Sequence, residues 1–308
     1  MSGLINILLI NVVNGILWGL IIGASSLGLT ELWGVMKVVN IAQGETLLLG
    51  AYIVIWAYTT LVLSPLVGIW IALAIGIVAG AIVYFLLLHK LIGKVEVITL
   101  KTEMSTLLIM FALSIILSNS YYYWIGSEPK GLGTWKIFAS TYIIIGGLRL
   151  RTNEIFAATF AVILTLVIYL FLNKTITGKA IRAVMQDAQA ASLVGINPVK
   201  IKLLTSILGI GITVFTGFLI LLHEASITPE TAVKYAPIAF AVVVLGGLGN
   251  ELGTLIGGII IGFVYGITKV IISSINPAIL SDPFALSTAF VILVLTLLLK
   301  PEGLFGRG

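Results

Sequence analysis

Apolar runs about as long as a helix needs to cross a bilayer recur along the whole chain, separated by short polar stretches. A crossing helix needs about 20 such residues for a hydrocarbon core about 30 Å thick. Only 9% of the 308 residues are charged, where a soluble domain carries about 25%. A soluble chain this apolar would expose large sticky patches, whereas lipid solvates them. A transmembrane barrel would show alternating stretches of about ten residues, and no such alternation is present. Helices therefore satisfy the backbone, and the fold class read from sequence is an all-α polytopic transmembrane bundle in a single domain, residues 1–308.

Nine segments are expected: about Ile5–Leu29, Thr46–Leu63, Leu66–Leu88, Met104–Ile125, Ile155–Leu172, Leu203–Leu222, Pro237–Leu248, Thr254–Ile275 and Ala285–Leu299. A polar break, Thr30 to Glu45, follows the first. The seventh is short and reads either as a crossing or as a re-entrant piece, so eight or nine passes result. The loops His89–Glu103 and Asn173–Lys202 fall on one side and hold Lys90, Lys94, Lys101, Lys174, Lys179, Arg182, Lys200 and Lys202, eight of the 17 basic residues. The positive-inside bias puts that side in the cytoplasm. Nine crossings would add Lys37, Lys300 and Arg307 to it and leave Lys130, Lys136, Arg149, Arg151 and Lys234 outside. The same bias accounts for the net charge of +5 without nucleic acid. No basic leader with a small-residue cleavage site opens the chain, so the first run is expected to be a resident helix.

Glycines repeat at four-residue spacing in three ladders: Gly15, Gly19 and Gly23; Gly253 and Gly257; Gly258, Gly262 and Gly266. Such ladders let helix backbones approach closely, either inside one chain or between subunits. A fainter echo links Asn40-Ile-Ala-Gln-Gly-Glu45 with Gly246-Gly-Leu-Gly-Asn-Glu251, each preceding a glycine-bearing apolar run. It is either chance or the trace of an internal repeat.

Nothing in the chain assembles a catalytic or metal constellation. There is no cysteine, and the two histidines, His89 and His223, lack ligand spacing to other donors. Asn173-Lys-Thr-Ile-Thr-Gly-Lys-Ala180 resembles a phosphate loop but lacks its first glycine and has alanine in place of the Mg²⁺-binding hydroxyl. No cofactor is expected on this chain; if ATP is used, another chain binds it.

The most informative stretch is Thr177 to Pro198. It reads as a short cytoplasmic helix with Thr177 as N-cap, an apolar stripe of Ile181, Val184, Ala188, Ala191 and Val194, and Gly195 at the left-handed C-terminal position. Asn197-Pro198 restarts a helix, with Asn capping and Pro at its first position. The result is either a docking element that passes force to the membrane part or a solvated amphipathic connector.

This stretch resembles the cytoplasmic loop of ABC importer permeases of the branched-chain amino acid type, whose common form is G-x-A-x-R-A-x-x-x-D-x-x-x-A-x-x-x-G-I-N. The matches are Gly178, Ala180, Arg182, Ala183, Asp187, Ala191, Gly195, Ile196 and Asn197. Asn14-Gly15, Gly28-Leu-Thr30 and Asn40-Ile-Ala-Gln-Gly-Glu45 before Leu49-Gly-Ala-Tyr52 look like the family's N-terminal signature. Gly246 to Gly253 and the tail Lys300-Pro-Glu-Gly-Leu-Phe-Gly306 look like its C-terminal ones. The resemblance spans nearly the whole chain, which looks like the shorter of a permease pair. Gln43 stands where the family often has histidine, and Glu31 where many members are apolar or aromatic. The resemblance implies a multi-pass cell-membrane subunit that works with a second permease chain, identical or different, two cytoplasmic ATPases that bind ATP and Mg²⁺, and an external solute-binding protein. It implies that the Gly178–Asn197 helix docks on the ATPase, with Arg182 and Asp187 offering polar contacts and Ala183, Ala190 and Ala191 allowing close approach.

Asn40, Gln43, Gly44 and Glu45 adjoin apolar helix and are the candidate path residues. An ionisable group at membrane depth costs about 2.5–3.5 kcal/mol on insertion scales. Glu45 either complements the positive helix end or faces the path, where backbone N–H groups around Gly44 would hold a substrate carboxylate. An ion-coupled secondary transporter is the other transport reading; its acidic ion sites would have to come from segment ends.

Overall fold

The computed structural model describes residues 2–93, 99–133, 135, 142–145, 148–275, 281–300 and 302–306. Lys94, Lys136, Pro301 and Arg307 lie outside them. Helix α1 (Ser2–Ser25) runs almost directly into α2 (Leu27–Met36). The Ser25 and Ser26 hydroxyls at the joint both donate back to the Ile22 carbonyl. The polar break is therefore shorter than expected from sequence. Thr30 and Glu31 sit inside α2, because the Thr30 hydroxyl finds Thr254 at 2.8 Å and is buried there. The chain leaves helix only at Lys37, in the left-handed region.

Helix α3 (Gln43–Thr59) follows. Pro65 at its first position opens α4 (Pro65–Val83), which continues as a wider π-type stretch from Tyr84 to Gly93. Then come α5 (Leu100–Trp124), capped by Thr99, and α6 (Thr152–Lys174). The polar stretch between them contains short strands that the sequence reading took for loop. β1 (Lys130–Gly131) pairs antiparallel with β4 (Ser226–Ile227), and β2 (Tyr142–Ile145) forms a hairpin with β3 (Leu148–Arg151). After α7 (Ile176–Gln186) and α8 (Ala188–Leu193) come α9 (Pro198–Glu224), α10 (Thr231–Gly246), α11 (Glu251–Ile275) and α12 (Ser281–Leu299).

Among the described residues, six helical spans are long and apolar enough to cross a membrane. Helix α9 is the most buried of them and forms the axis of the bundle. α4 lies along it, with the Ser206 hydroxyl donating to Gly80 O at 2.9 Å and the Tyr84 hydroxyl to Val199 O at 3.1 Å. At its N-terminal end α9 buries Lys202, whose ammonium donates to Ile92 O at 2.8 Å.

Helix α10, at about 24 Å by its 16 residues, joins both ends of the bundle. Near its start Lys234 pairs with Glu224 at the outer end of α9. The turn after its end, at Gly249, lies against Met185 of α7. The tail comes back to the same end, with Leu304 N–H donating to Leu245 O at 2.9 Å. The tail therefore lies at the same end of the bundle as α7.

The first and third glycine ladders meet each other. Gly15 and Gly19 of α1 lie against the backbone of Gly262, Gly266 and Gly258 of α11. Gly253 and Gly257 lie against α10 at Gly246 and Val242. The ladders are thus packing inside one chain.

Candidate functional site

The membrane-depth polar break is built around Gln43. Its side-chain amide donates to Ser25 O at 2.9 Å, at the α1–α2 joint, and to the Thr213 hydroxyl of α9 at 3.2 Å. Asn40 donates to Gln43 Oε1 at 3.3 Å. Both side chains are buried, and Thr213 is near the middle of α9. The six residues 37–42 therefore bring the chain from the end of α2 back toward the α1–α2 joint, where α3 begins. Of the second echo segment, Gly249 lies beside Gly34 of α2 and Met185 of α7.

Gly44 packs on the backbone of Ala232 in α10, leaving no room for a side chain. Glu45 lies in the first turn of α3, is 6% exposed, and accepts from the Ser114 hydroxyl of α5 at 2.7 Å. Its Oε2 is buried without a hydrogen-bond partner. Tyr121 of α5 donates its hydroxyl to the Glu45 backbone oxygen at 2.7 Å. Above this turn α3 and α5 splay around a cleft of about 660 Å³, walled by Leu49, Tyr52, Ile53, Trp56, Tyr121 and Trp124. The structure joins an apolar, aromatic cleft to a carboxylate turn at a helix N-terminus. Trp56 and Trp124 were not singled out in sequence, where aromatic residues in an apolar helix look like ordinary lipid-facing positions, and Tyr52 stood there only as the end of the N-terminal signature.

The α7–α8 loop differs from the single helix read from sequence. Thr175, not Thr177, caps α7, accepting from Gly178 N–H at 3.0 Å. Asp187 breaks the helix and caps α8, accepting from the N–H groups of Gln189 and Ala190 at 2.8 and 3.0 Å. Asn197 caps α9 in the same way. Gly178 packs against the backbone of Phe171 and Leu172. Arg182 donates to Asn173 Oδ1 at 2.6 Å, and Gly195 turns the chain at φ +86°. Ala183 is half-buried, Ala191 buried, and Ala190 exposed. Ile181, Val184 and Ala191 hold the pair of helices against the membrane part, but Val194, expected on the same stripe, is 76% exposed, and Leu193 beside it is 88% exposed. Several motif residues thus shape the loop, and its exposed residues include Ile176, Lys179, Gln186, Asp187, Gln189, Ala190, Leu193, Val194, Gly195 and Asn197.

A family model for the permease component of the branched-chain amino acid transport system matches residues 11–299. The chain belongs to this family. The high-affinity branched-chain amino acid transport system permease protein LivH of Escherichia coli is 28% identical over 301 residues, covering 96% of this chain and 94% of the relative. The corresponding protein BraD of Pseudomonas aeruginosa is 26% identical over 303 residues, covering 96% and 94%. A probable LivH of Methanocaldococcus jannaschii is 31% identical over 288 residues, covering 91% and 87%. No solved structure matches the chain. The permease is a multi-pass integral protein of the cell membrane.

Glu45→Gln keeps the Ser114 hydrogen bond and removes the charge. If Glu45 lines the path, solute uptake by reconstituted permease complex falls about tenfold, the effect of losing one charged hydrogen bond. Unchanged uptake would remove Glu45 from the path and leave it with its structural place at the helix end.

Proposed function

We propose that this chain is the translocating subunit of an ATP-binding cassette importer for branched-chain or related amino acids. A second permease chain completes the path, two cytoplasmic ATPases bind ATP and Mg²⁺ and power it, and an external binding protein delivers the solute. The family match along residues 11–299 carries this reading. The α7–α8 loop supports it, since two small-residue helices locked to the bundle present exposed Leu193 and Val194 on the cytoplasmic side. In this reading the exposed residues bury against the ATPase, while Arg182, Asp187, Gly195 and Asn197 hold the loop in shape. The cleft between α3 and α5, walled by Leu49, Tyr52, Ile53, Trp56, Tyr121 and Trp124, is suited to an aliphatic side chain. Competition tests the solute class. Uptake of labelled leucine by the assembled complex is expected to be blocked by isoleucine and valine and left intact by asparagine or urea. Blocking by urea or asparagine alone would overturn the assignment to branched-chain solutes.

A further inference from the structure

Among the described residues, Lys130 is the one charged side chain lining the α3–α5 cleft. It stands on β1, opposite Ile227 of β4, just beyond the C-terminal end of α9. Ile227 is buried, and Gly131 packs on the backbone of Ala225. The short ribbon is therefore held in place while Lys130 itself stays exposed. Among the described residues, no acidic group lies within ion-pair distance of its ammonium. This cation is both accessible and uncommitted.

The other polar groups of the cleft are weaker or already used. The Tyr121 hydroxyl goes to the Glu45 backbone oxygen, and the Tyr52 hydroxyl is buried. Thr59 donates its hydroxyl to Ile55 O at 2.8 Å, which leaves the oxygen free to accept. Glu45 does not line the cleft, and it lies about 21 Å from Thr59 along α3 by the helix rise. Small-molecule sites of this kind bury an apolar body and orient it through a few polar groups. A cation entering here meets the Lys130 charge, and a neutral apolar molecule leaves that charge unanswered. An anionic head adds a charge-assisted hydrogen bond.

We infer that Lys130 anchors the anionic head of a ligand whose aliphatic part lies against Ile53, Trp56 and Trp124. The ligand class is an amphiphilic anion. Two sources share this chemistry: the carboxylate and side chain of a branched-chain amino acid, and the phosphate and acyl chain of an anionic lipid. The cleft, at about 660 Å³, has room for an amino acid or part of one acyl chain. With an amino acid, the ammonium stays at the mouth, where Thr59 and Thr60 offer hydroxyl oxygens. The amino acid as occupant rests on the transport reading above; the anion class rests on the cleft alone.

The test uses the purified permease–ATPase complex in phosphatidylcholine nanodiscs, without binding protein. Binding is followed by tryptophan emission, to which Trp56 and Trp124 contribute from the cleft walls. The ligands are L-leucine, 4-methylpentanoate and 3-methylbutylamine. The carboxylate is expected to bind at least about tenfold more tightly than the amine, the effect of one charged contact. Lys130→Gln is expected to erase this preference and Lys130→Glu to reverse it, which a merely structural role of Lys130 would not do. Its side chain is exposed, so neither variant should lower the yield of folded complex. Leucine binding weakened about tenfold in Lys130→Gln supports the amino acid as occupant. Quenching by brominated phosphatidylglycerol but not by brominated phosphatidylcholine, lost in Lys130→Gln and with no leucine response, supports the site with lipid as the source. Equal binding of carboxylate and amine, binding unaltered in both variants, or no response to either the carboxylate or phosphatidylglycerol overturns it. Uptake by the complete transporter is measured in parallel. Normal leucine uptake with binding independent of Lys130 sinks only this site. Absent leucine uptake by the unaltered complex sinks the transport reading, while the two charge variants still decide the anion class.

Discussion

Leucine in place of Gly19 or Gly262 is expected to abolish the folded permease. A Cβ at Gly19 would stand 2.5 Å from Gly258 O and 3.0 Å from the Ile259 Cα, and one at Gly262 would run into the Gly15 carbonyl and the Gly19 backbone. These are backbone atoms of a facing helix, so no side-chain rotation relieves the clash. Overpacking a core commonly costs about 1–3 kcal/mol and occasionally more. Here α1 and α11 must separate along their whole seam, which places the loss at the upper end or beyond. Association of membrane helices depends on such close van der Waals contact, since lipid offers no hydrophobic drive between them. The measurement is the monodisperse fraction and melting temperature of detergent-solubilised protein. Gly19→Ala is expected to be intermediate, and Gly211→Ala, whose nearest neighbours are 3.7 Å or more away, close to wild type. A Gly19→Leu protein that melts with wild type would show that the seam does not hold the bundle.

The second large effect is expected at the cytoplasmic loop. Aspartate at Leu193 or Val194 is expected to lower ATP-driven uptake about tenfold to a hundredfold, because burying such a side chain against a partner contributes about 1.5–3 kcal/mol. Both residues are more than three-quarters exposed in the isolated chain, so the amount of permease in the membrane should not change. Asp187→Ala acts otherwise. It removes the cap of α8 at a cost of about 1 kcal/mol and should reduce coupling mildly through the loop's shape. Measuring membrane yield, ATPase binding and uptake on the same preparations separates the two. Leu193→Asp with normal ATPase binding and uptake would move the docking surface elsewhere.

The bundle was legible in sequence because lipid demands long apolar runs, and each of the expected segments has a helix over it. Boundaries went astray where tertiary contacts satisfy polar groups. Thr30 and Glu31 look like a break, yet Thr30 bonds Thr254 on a helix more than two hundred residues away. Short strands in the outer loops left no periodic trace. At the α7–α8 loop, the motif residues stood out in sequence, and their capping geometry shows why those residue types suit a rigid turn. Asp187 followed by Ala-Gln-Ala-Ala carries a capping signal that the single-helix reading passed over. Leu193 and Val194 were illegible as surface, because apolar residues on a helix read as a buried stripe. Lys130 was illegible for another reason: in sequence it counts only as a charge between segments, and it meets the α3 residues of the cleft only in the fold.

The energy source is the most direct test of the whole assignment. Leucine uptake is measured in proteoliposomes holding both permease chains and the ATPases, with binding protein outside and ATP either enclosed or omitted. Uptake is expected to require enclosed ATP, to persist when ionophores collapse the ion gradients, and to disappear with Leu193→Asp. Uptake that proceeds without ATP and collapses with the ionophores would contradict an ATP-driven importer.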